Sequence, residues 1–413
     1  MTEPLRPAPK LPFWELVAIV AAAMALNALA VDMMLPALGI IGDELGAAHP
    51  NDRQLIIIVY VIANGVAQLF FGPIVDRFGR KRVLLWSLAA YTAGSLLSVI
   101  ASSFTLLLAA RAFQGVATAA TRVAAVAVVR DQCSGRRMAE VMSLAITIFM
   151  AAPILAPGIG QLILFAAPWR WIFIALLVYG ALFAIWAALR LPETMAPEDR
   201  KPLRAGPIAA SYLLFARNKI SVGYTLAAAC VFGAVFSYIS SAEQVFVEVF
   251  GLGDAFVLVF AFIASSFGFS TLMNSRIVSR FGMRRLSHTA LFVLIAANGL
   301  HLLLIATVGE SLPVFIACMM ISFFCIGLIG PNATALAMEP MGHNAGAAAA
   351  LNGFAGTTIA GLLGGLIGGQ YNGTTTPMII GFATLGVVSL SIVLWVENGK
   401  LFGVGEPEPE PAE

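Results

Sequence analysis

Two stretches of this chain, 203 residues apart, carry the same loop: Gly72–Leu85 reads GPIVDRFGRKRVLL and Ser275–His288 reads SRIVSRFGMRRLSH. Ile74, Val75, Arg77, Phe78, Gly79 and Arg82 recur in register as Ile277, Val278, Arg280, Phe281, Gly282 and Arg285. Each loop sits between two long apolar runs. A chain that repeats itself at half its length, inside apolar sequence, points to two similar halves embedded in a membrane, a construction typical of transporters. Composition agrees, because 60% of the 413 residues are hydrophobic and only 11% are charged. A soluble chain of this length could not hide so much apolar surface.

A helix that crosses the hydrocarbon core needs about 20 apolar residues. Twelve such runs lie near 14–36, 54–75, 83–103, 105–128, 138–164, 170–190, 220–247, 255–278, 287–308, 311–338, 345–369 and 376–397. The expected fold is therefore all-α and integral to the membrane, with twelve transmembrane helices in two six-helix, pseudo-symmetric bundles. A barrel would need short alternating segments instead. The expected units are an N-terminal bundle over 1–190, a linker over 191–219, a C-terminal bundle over 220–398 and an acidic, disordered tail over 399–413. Pro192, Pro197, Pro202 and Pro207 mark the linker, and GEPEPEPAE ends the tail.

With both ends in the cytoplasm, 20 of the 24 basic residues fall in inner segments; Arg53 and Arg170 lie outside, and Arg111 and Arg122 lie within a span. That split follows the positive-inside rule and places the chain in a cytoplasmic membrane, multi-pass, with both termini inside. The first apolar run is too long for a cleavable signal peptide. The net charge of +2 is spread along this periodic pattern and gives no nucleic-acid patch. Cys133 falls in a basic loop and Cys230, Cys318 and Cys325 in apolar runs, which is no disulfide framework. His288, His301 and His343 form no ligand pattern, and no nucleophile–base motif or phosphate loop is present. An enzyme is not expected, nor any cofactor apart from a proton as coupling ion.

The loop motif of Gly72, Asp76, Arg77, Gly79, Arg80 and Lys81 resembles the signature loop between spans two and three of the major facilitator superfamily. Span four, with Arg111, Gln114 and Gly115 as RAFQG and then Arg130–Asp131, is similar to a signature of its drug–proton antiporter branch. Pro153, Pro157, Gly158 and Gly160, as PILAPGIG, resemble that branch's antiporter motif in span five. Asp32 in VDMMLPAL, LPET at Leu191–Thr194 and GPNA from Gly330 resemble the bicyclomycin/chloramphenicol-resistance group of multidrug exporters. Two departures stand out: Glu243 in span seven and the second arginine, Arg122, in span four. The resemblance implies that spans one, four, seven and ten surround a cavity, and that three, six, nine and twelve are peripheral. It also implies a loop that latches the inner side in the outward-open state, and rocking of one bundle on the other.

An ionisable group at the centre of a span is costly, about 2.5–3.5 kcal/mol on insertion scales. Asp32, Arg111, Arg122 and Glu243 are the candidates. Asp32 precedes Pro36 by four residues, and desolvation favours the uncharged form of a carboxyl group, so it reads as the proton site. A carboxylate permanently paired with an arginine is the competing reading. Arg111 is the expected partner of Asp32 in at least one conformation. Arg122, eleven residues on and on the same stripe, serves the inner end of the cavity or pairs structurally near the interface. Glu243 reads either as a second proton or cation group or as a solvated helix end. At the 203-residue offset Asp32 becomes Val235 and Arg111 becomes Val314, so coupling is expected in the first half.

Asp76 stands in the tight inner turn among Arg77, Arg80 and Lys81; in the second copy Ser279 and Met283 replace Asp76 and Arg80, so the second latch is expected to be weak or absent. Gly72 and Gly79 are expected to allow close backbone approach. Span five and the glycines of span eleven (Gly361, Gly364, Gly365, Gly368, Gly369) are each expected to pack against the other half. Asn27, Asn64, Gln68, Gln114, Tyr238 and Asn332 are candidate polar cavity groups, and Met33 and Phe236 candidate soft walls, with a lipid-facing or helix-packing side chain the alternative for each. The function these readings support is proton-coupled export of small, largely apolar compounds through a monomer, with a transporter for one metabolite as the alternative.

Overall fold

The computed structural model describes residues 11–403 apart from 134, 197, 199 and 201, and the backbone alone at 135, 136, 139 and 343. Residues 404–413 of the expected tail, Arg6, Lys10, Pro197 and Lys201 therefore lie outside the described residues, as do the side chains of Arg136 and His343, while 399–403 of that tail are described.

Twelve helices in the described residues are long and apolar enough to cross a membrane, and no strand occurs among them. In chain order they are Phe13–Leu45, Pro50–Phe78, Arg80–Val99, Phe104–Gln132, Glu140–Ala166, Arg170–Arg190, Lys219–Val249, Gly253–Phe281, Met283–Val308, Leu312–Gly342, Ala345–Gly368 and Thr376–Val396. Several overrun their apolar run by about a turn, because charged residues such as Arg80, Arg130 and Arg280 reach the interface from a helix end. An even number of crossings brings both ends of the chain to one side, called here the terminal face. The repeated basic loops lie on that face.

Span one is broken. Its helix runs Phe13–Asp32, passes through a tight turn at Leu35–Ala37 and resumes over Leu38–Leu45. Pro36 has no N–H to give to the Asp32 carbonyl, and the Ala37 N–H turns to Met34 O at 2.9 Å. The proline-rich linker contains an element that its composition concealed, a helix over Ala205–Arg217. Its Tyr212 hydroxyl donates to Leu69 O of span two at 2.6 Å, while Phe215 packs with Met341 and Ala348. The linker helix thus touches both bundles.

Spans one, four, seven and ten bury the largest shares of their apolar windows, 72, 67, 67 and 56%, which puts them at the centre. The tightest seam between the bundles joins spans two and eleven. A Cβ at Gly65 would lie 2.2 Å from Thr358 Oγ1, one at Gly361 2.8 Å from Val61, and one at Gly353 2.2 Å from Gln68 Oε1. Only residues without a Cβ allow this approach. Span five packs against span eight of the other half, as expected, but not through the glycines of its motif. Gly160 presses on span one of its own bundle, and the cross-bundle contacts of span five come from Met150 beside Gly268 and from Gln161, which donates to Asp254 at 2.9 Å.

The face opposite the termini is closed by polar groups that cross between bundles. Arg53 pairs with Glu243 at 3.3 Å and also with Glu248. Buried Gln54 reaches Gln244 and the Gly368 carbonyl, and Asn51 donates to the carbonyls of Gly369 and Tyr371. Toward the terminal face the side-chain bonds between bundles thin out to Gln68 with Thr357 at 3.3 Å. The protein is therefore closed on the far side. Replacing Arg53 by Ala removes the only cation that pairs in this cluster among the described residues. A loss of about 1–2 kcal/mol raises the open fraction about five- to thirtyfold. A cysteine placed at buried Ser240, beneath the lock, should react that much faster with an impermeant maleimide, against four native cysteines that are all buried. Unchanged labelling would show that the ion pair does not hold this face.

Candidate functional site

Asp32 ends the first segment of span one and is 4% exposed. Its Oδ1 is sealed from solvent and has no hydrogen-bond partner among the described residues. The break at Pro36 also leaves the Met33 carbonyl outside the helical ladder, and span five closes on it. A Cβ at Gly160 would lie 1.9 Å from Met33 O. Asp32 is thus held at a discontinuity pinned by the backbone of span five, at the centre of the fold.

Arg111 reaches the same stretch of span one, at Ala30, and is not paired with Asp32 in this conformation. Its guanidinium donates to Ala30 O at 2.8 Å, to Ile56 O at 3.1 Å and to Gln114 Oε1. It also sits 4.3 Å from the centre of the Tyr60 ring. Carbonyl dipoles and a ring face can solvate a buried guanidinium without an anion. Gln114 passes the network on to Ser95 at 2.8 Å, and the Tyr60 hydroxyl lies 2.8 Å from Asn27 Oδ1 and 3.0 Å from Thr118 Oγ1. The result is one polar knot tying spans one, two, three and four together two residues from Asp32.

Several expected cavity residues turn out to hold helices together. Asn64 donates to Gly115 O at 3.2 Å, where a Cβ on Gly115 would lie 2.3 Å from Tyr60 O. Gln68 donates to Asn64 at 3.0 Å and faces span eleven. Asn332 is paired with Asn274 at 2.8 Å. Tyr238 is buried in an aromatic cluster with Phe246, Phe260 and Phe323, and its hydroxyl has no partner among the described residues. Met33 is 4% exposed, and Phe236, half-buried, packs on Gly364. In this closed-outside conformation these side chains fill seams between helices, because a polar group inside a bundle is satisfied most cheaply by a neighbouring backbone. Arg122 differs from all of them by being exposed. Glu243 sits in the far-face lock, some distance along the chain from the Asp32 break but on the facing helix.

The repeated loop is a built contact. Asp76 pairs with Arg80 at 3.2 Å, and Arg80 reaches Asp131 of span four at 2.8 Å. Arg130 lies 3.9 Å from Asp76. The LPET segment closes this cluster, a link that the sequence reading did not draw. Glu193 accepts from the Arg80 backbone N–H at 2.9 Å, at the start of span three, and Thr194 donates to Asp131 at 3.0 Å. A carboxylate there caps the exposed N–H groups of a helix start. Gly79 takes φ of +96°, and a Cβ there would lie 2.4 Å from Glu193 Oε2. Arg77 is exposed. Gly72 and Gly158, expected to permit close approach, have nothing within 4 Å, so the tight packing rests on Gly79 and Gly160. Pro153 and Pro157 are accommodated inside the continuous helix Gly135–Ala166.

Residues 20–365 match the family described as Major Facilitator Superfamily. The chain belongs to that superfamily. A bicyclomycin resistance protein homolog of Haemophilus influenzae is 30% identical over 90% of this chain and 93% of its own length. A chloramphenicol resistance protein of Pseudomonas aeruginosa is 31% identical over 92% of this chain and 90% of its own. Among solved structures, the partially occluded inward-open xylose transporter of E. coli superposes with a TM-score of 0.73 at 12% identity, over 93% of this chain and 97% of that one. The fold is thus that of major facilitator transporters, not of an enzyme, and it is a multi-pass membrane protein built for a small-molecule substrate.

The second copy of the superfamily's repeated loop is fastened by other residues. Ser279 and Met283 have lost the first copy's charges, but Glu397, just past span twelve, accepts from Arg284 Nε at 2.8 Å and from the Tyr224 hydroxyl at 2.6 Å. His288 accepts from the Phe402 N–H at 2.9 Å and lies 3.2 Å from Tyr224. Burial pushes the Glu397 carboxyl up, but the hydrogen bonds from Tyr224 and Arg284 outweigh it and hold it below the usual carboxylate range. A folded-state value below the unfolded one gives stability that is full above the unfolded carboxylate range and is lost as pH falls through the folded value. Thermal unfolding of Glu397→Gln should therefore lose part of the wild-type protein's acid sensitivity. Identical acid profiles for the two would remove Glu397 from the terminal-face clamp.

Proposed function

We propose that the protein is a proton-coupled antiporter that exports small, largely apolar antibacterial compounds across the cytoplasmic membrane. The observation that carries this reading is the Asp32 carboxyl, buried without a hydrogen bond to Oδ1 at the broken, glycine-pinned turn of span one. Such an acid is free to take and give up a proton as its surroundings change. The names of the relatives, bicyclomycin and chloramphenicol resistance, supply the class of cargo.

In this reading the terminal face is cytoplasmic, and the four units divide at 190, 219 and 398 as the sequence suggests. The far-face lock of Arg53, Glu243 and Glu248 opens to the outside, where Asp32 takes a proton. The cluster of Asp76, Arg80, Asp131 and Glu193, already formed with the far side shut, keeps the loop fastened to span four within the first half as the bundles tilt. When the bundles tilt back, cargo entering from the cytoplasm meets the carboxyl, and the proton leaves inward. Arg111 holds span four to span one at Ala30, two residues from the carboxyl. One chain contains every part of this cycle, so the monomer is the working unit, and the proton is its only coupling ion.

The test is chloramphenicol uptake into inverted vesicles bearing the protein. An imposed pH gradient, acid inside, should drive accumulation that a protonophore abolishes. Accumulation indifferent to the protonophore would exclude proton coupling while leaving export itself standing.

A further inference from the structure

Arg122 stands out once the helix is turned about its axis. At 3.6 residues per turn, Arg122 lies within about 20° of both Arg111 and Gly115. Arg111 is fully buried, and Gly115 presses on the backbone of span two, so this stripe faces the protein interior. Val116, about 120° away around the helix, faces a different surface, an apolar groove it lines with Ala63, Val66 and Phe70. Arg122 is nevertheless exposed, and it is the sole exposed residue between Ala117 and Val129. An interior stripe with an exposed residue means an opening between the bundles. With the far side shut, that opening leads to the terminal face.

The guanidinium in this opening makes no hydrogen bond, ion pair or ring contact among the described residues. Asp32 is out of reach, because Arg111 lies at its level and Arg122 is eleven residues further along, about 16 Å. Asp131, nine residues in the other direction, already holds Arg80 and Thr194. The second half offers no counterpart, since the 203-residue offset puts Cys325 there. A planar cation with five donors, exposed and unmatched among the described residues, is suited to a carboxylate or another flat anion.

We propose that Arg122 is a specificity-determining residue that binds the anionic group of the cargo, so that the substrate range includes aromatic carboxylates and zwitterions. This rests on the export reading above and narrows it. The guanidinium supplies the charge-assisted contact, and the apolar body of the compound lies higher, toward Asp32. Uncharged compounds would pass without using Arg122.

The experiment compares radiolabelled nalidixate, an aromatic carboxylate, with its uncharged primary amide, in vesicles bearing wild type, Arg122→Gln or Arg122→Lys. Arg122→Gln should lower carboxylate transport on the order of ten- to a hundredfold, the worth of a charge-assisted contact, with amide transport kept. Arg122→Lys should recover part of the carboxylate activity. Equal loss of both compounds, or loss of neither, overturns the proposal. If wild type carries neither compound, the export reading is decided by the chloramphenicol test, and scintillation-proximity binding to the purified protein decides this one. Carboxylate binding that weakens in Arg122→Gln supports it; no binding, or binding indifferent to the substitution, overturns it.

Discussion

Asp32→Asn is expected to abolish pH-driven accumulation while leaving the protein folded and in the membrane. The substitution keeps the shape of the side chain and removes only its ability to carry a proton. Because Asp32 Oδ1 has no hydrogen bond to lose, packing at the break should survive. With one proton exchanged per substrate molecule, a gradient of one pH unit is worth about 1.4 kcal/mol and supports about tenfold accumulation. The variant should reach no more than equal concentrations on the two sides. Exchange of labelled for unlabelled drug should persist, since that exchange needs the bundles to tilt but no net proton movement. Cells expressing it should be as drug-sensitive as cells without the protein. Tenfold accumulation by Asp32→Asn under the same gradient would place the proton elsewhere, with Glu243 the next carboxyl to test.

The spans were legible in the sequence because lipid forces every backbone group into an internal bond, so each crossing leaves a run of apolar residues that nothing else requires. Asp32 and Arg111 were legible for the same reason: a charge in such a run is expensive and so conspicuous. The partner of Arg111 was not legible. Its ligands, Ala30 O and Ile56 O, are backbone carbonyls, which every residue has and no sequence marks. Asn64 and Gln68 show a related limit. Their four-residue spacing fixes a common face, but not whether that face meets a cavity or another helix, and Gly115 and Thr357 decide it.

Arg53 and Glu243 were each noticed as odd charges, one of two arginines outside and an acid where none was expected. Their pairing joins residues 190 positions apart and depends on which helices become neighbours. Glu193 was visible only as a letter in LPET. Its role depends on the chain folding back from the end of span six to the start of span three. The linker helix was hidden by its own prolines, although Tyr212 and Phe215, three apart on one face, were the anchors that it uses.

The two halves share a scaffold but divide the work. The lost charges at Val235 and Val314 leave the second half without an acid–arginine pair in its core. The rebuilt cluster at Glu397 shows that its terminal loop is still fastened, within its own bundle. The first half's equivalent cluster runs from the loop to span four and to LPET. Span four also carries Arg111 and Arg122, so movement at the latch bears directly on the helix that lines the opening.

Gly160 and Gly158 separate the two meanings a glycine can have in such a motif. A Cβ at Gly160 would sit 1.9 Å from Met33 O and 2.9 Å from Met33 C, and backbone cannot rotate away as a side chain can. Gly160→Ala must push span five off span one by more than an ångström, at the break that carries Asp32. Overpacking of this kind costs about 1–3 kcal/mol. The displacement also opens the seam around the carboxyl, so export should fall to a small fraction of wild type even where the protein still reaches the membrane. Gly158 has nothing within 4 Å, and alanine there should be neutral or stabilise the helix by about 0.5–1 kcal/mol. Thermal unfolding and drug efflux measured on both variants give opposite expected results from substitutions two residues apart. Equal damage by both would mean that the motif works by helix flexibility, and not by the contact between Gly160 and the Met33 carbonyl.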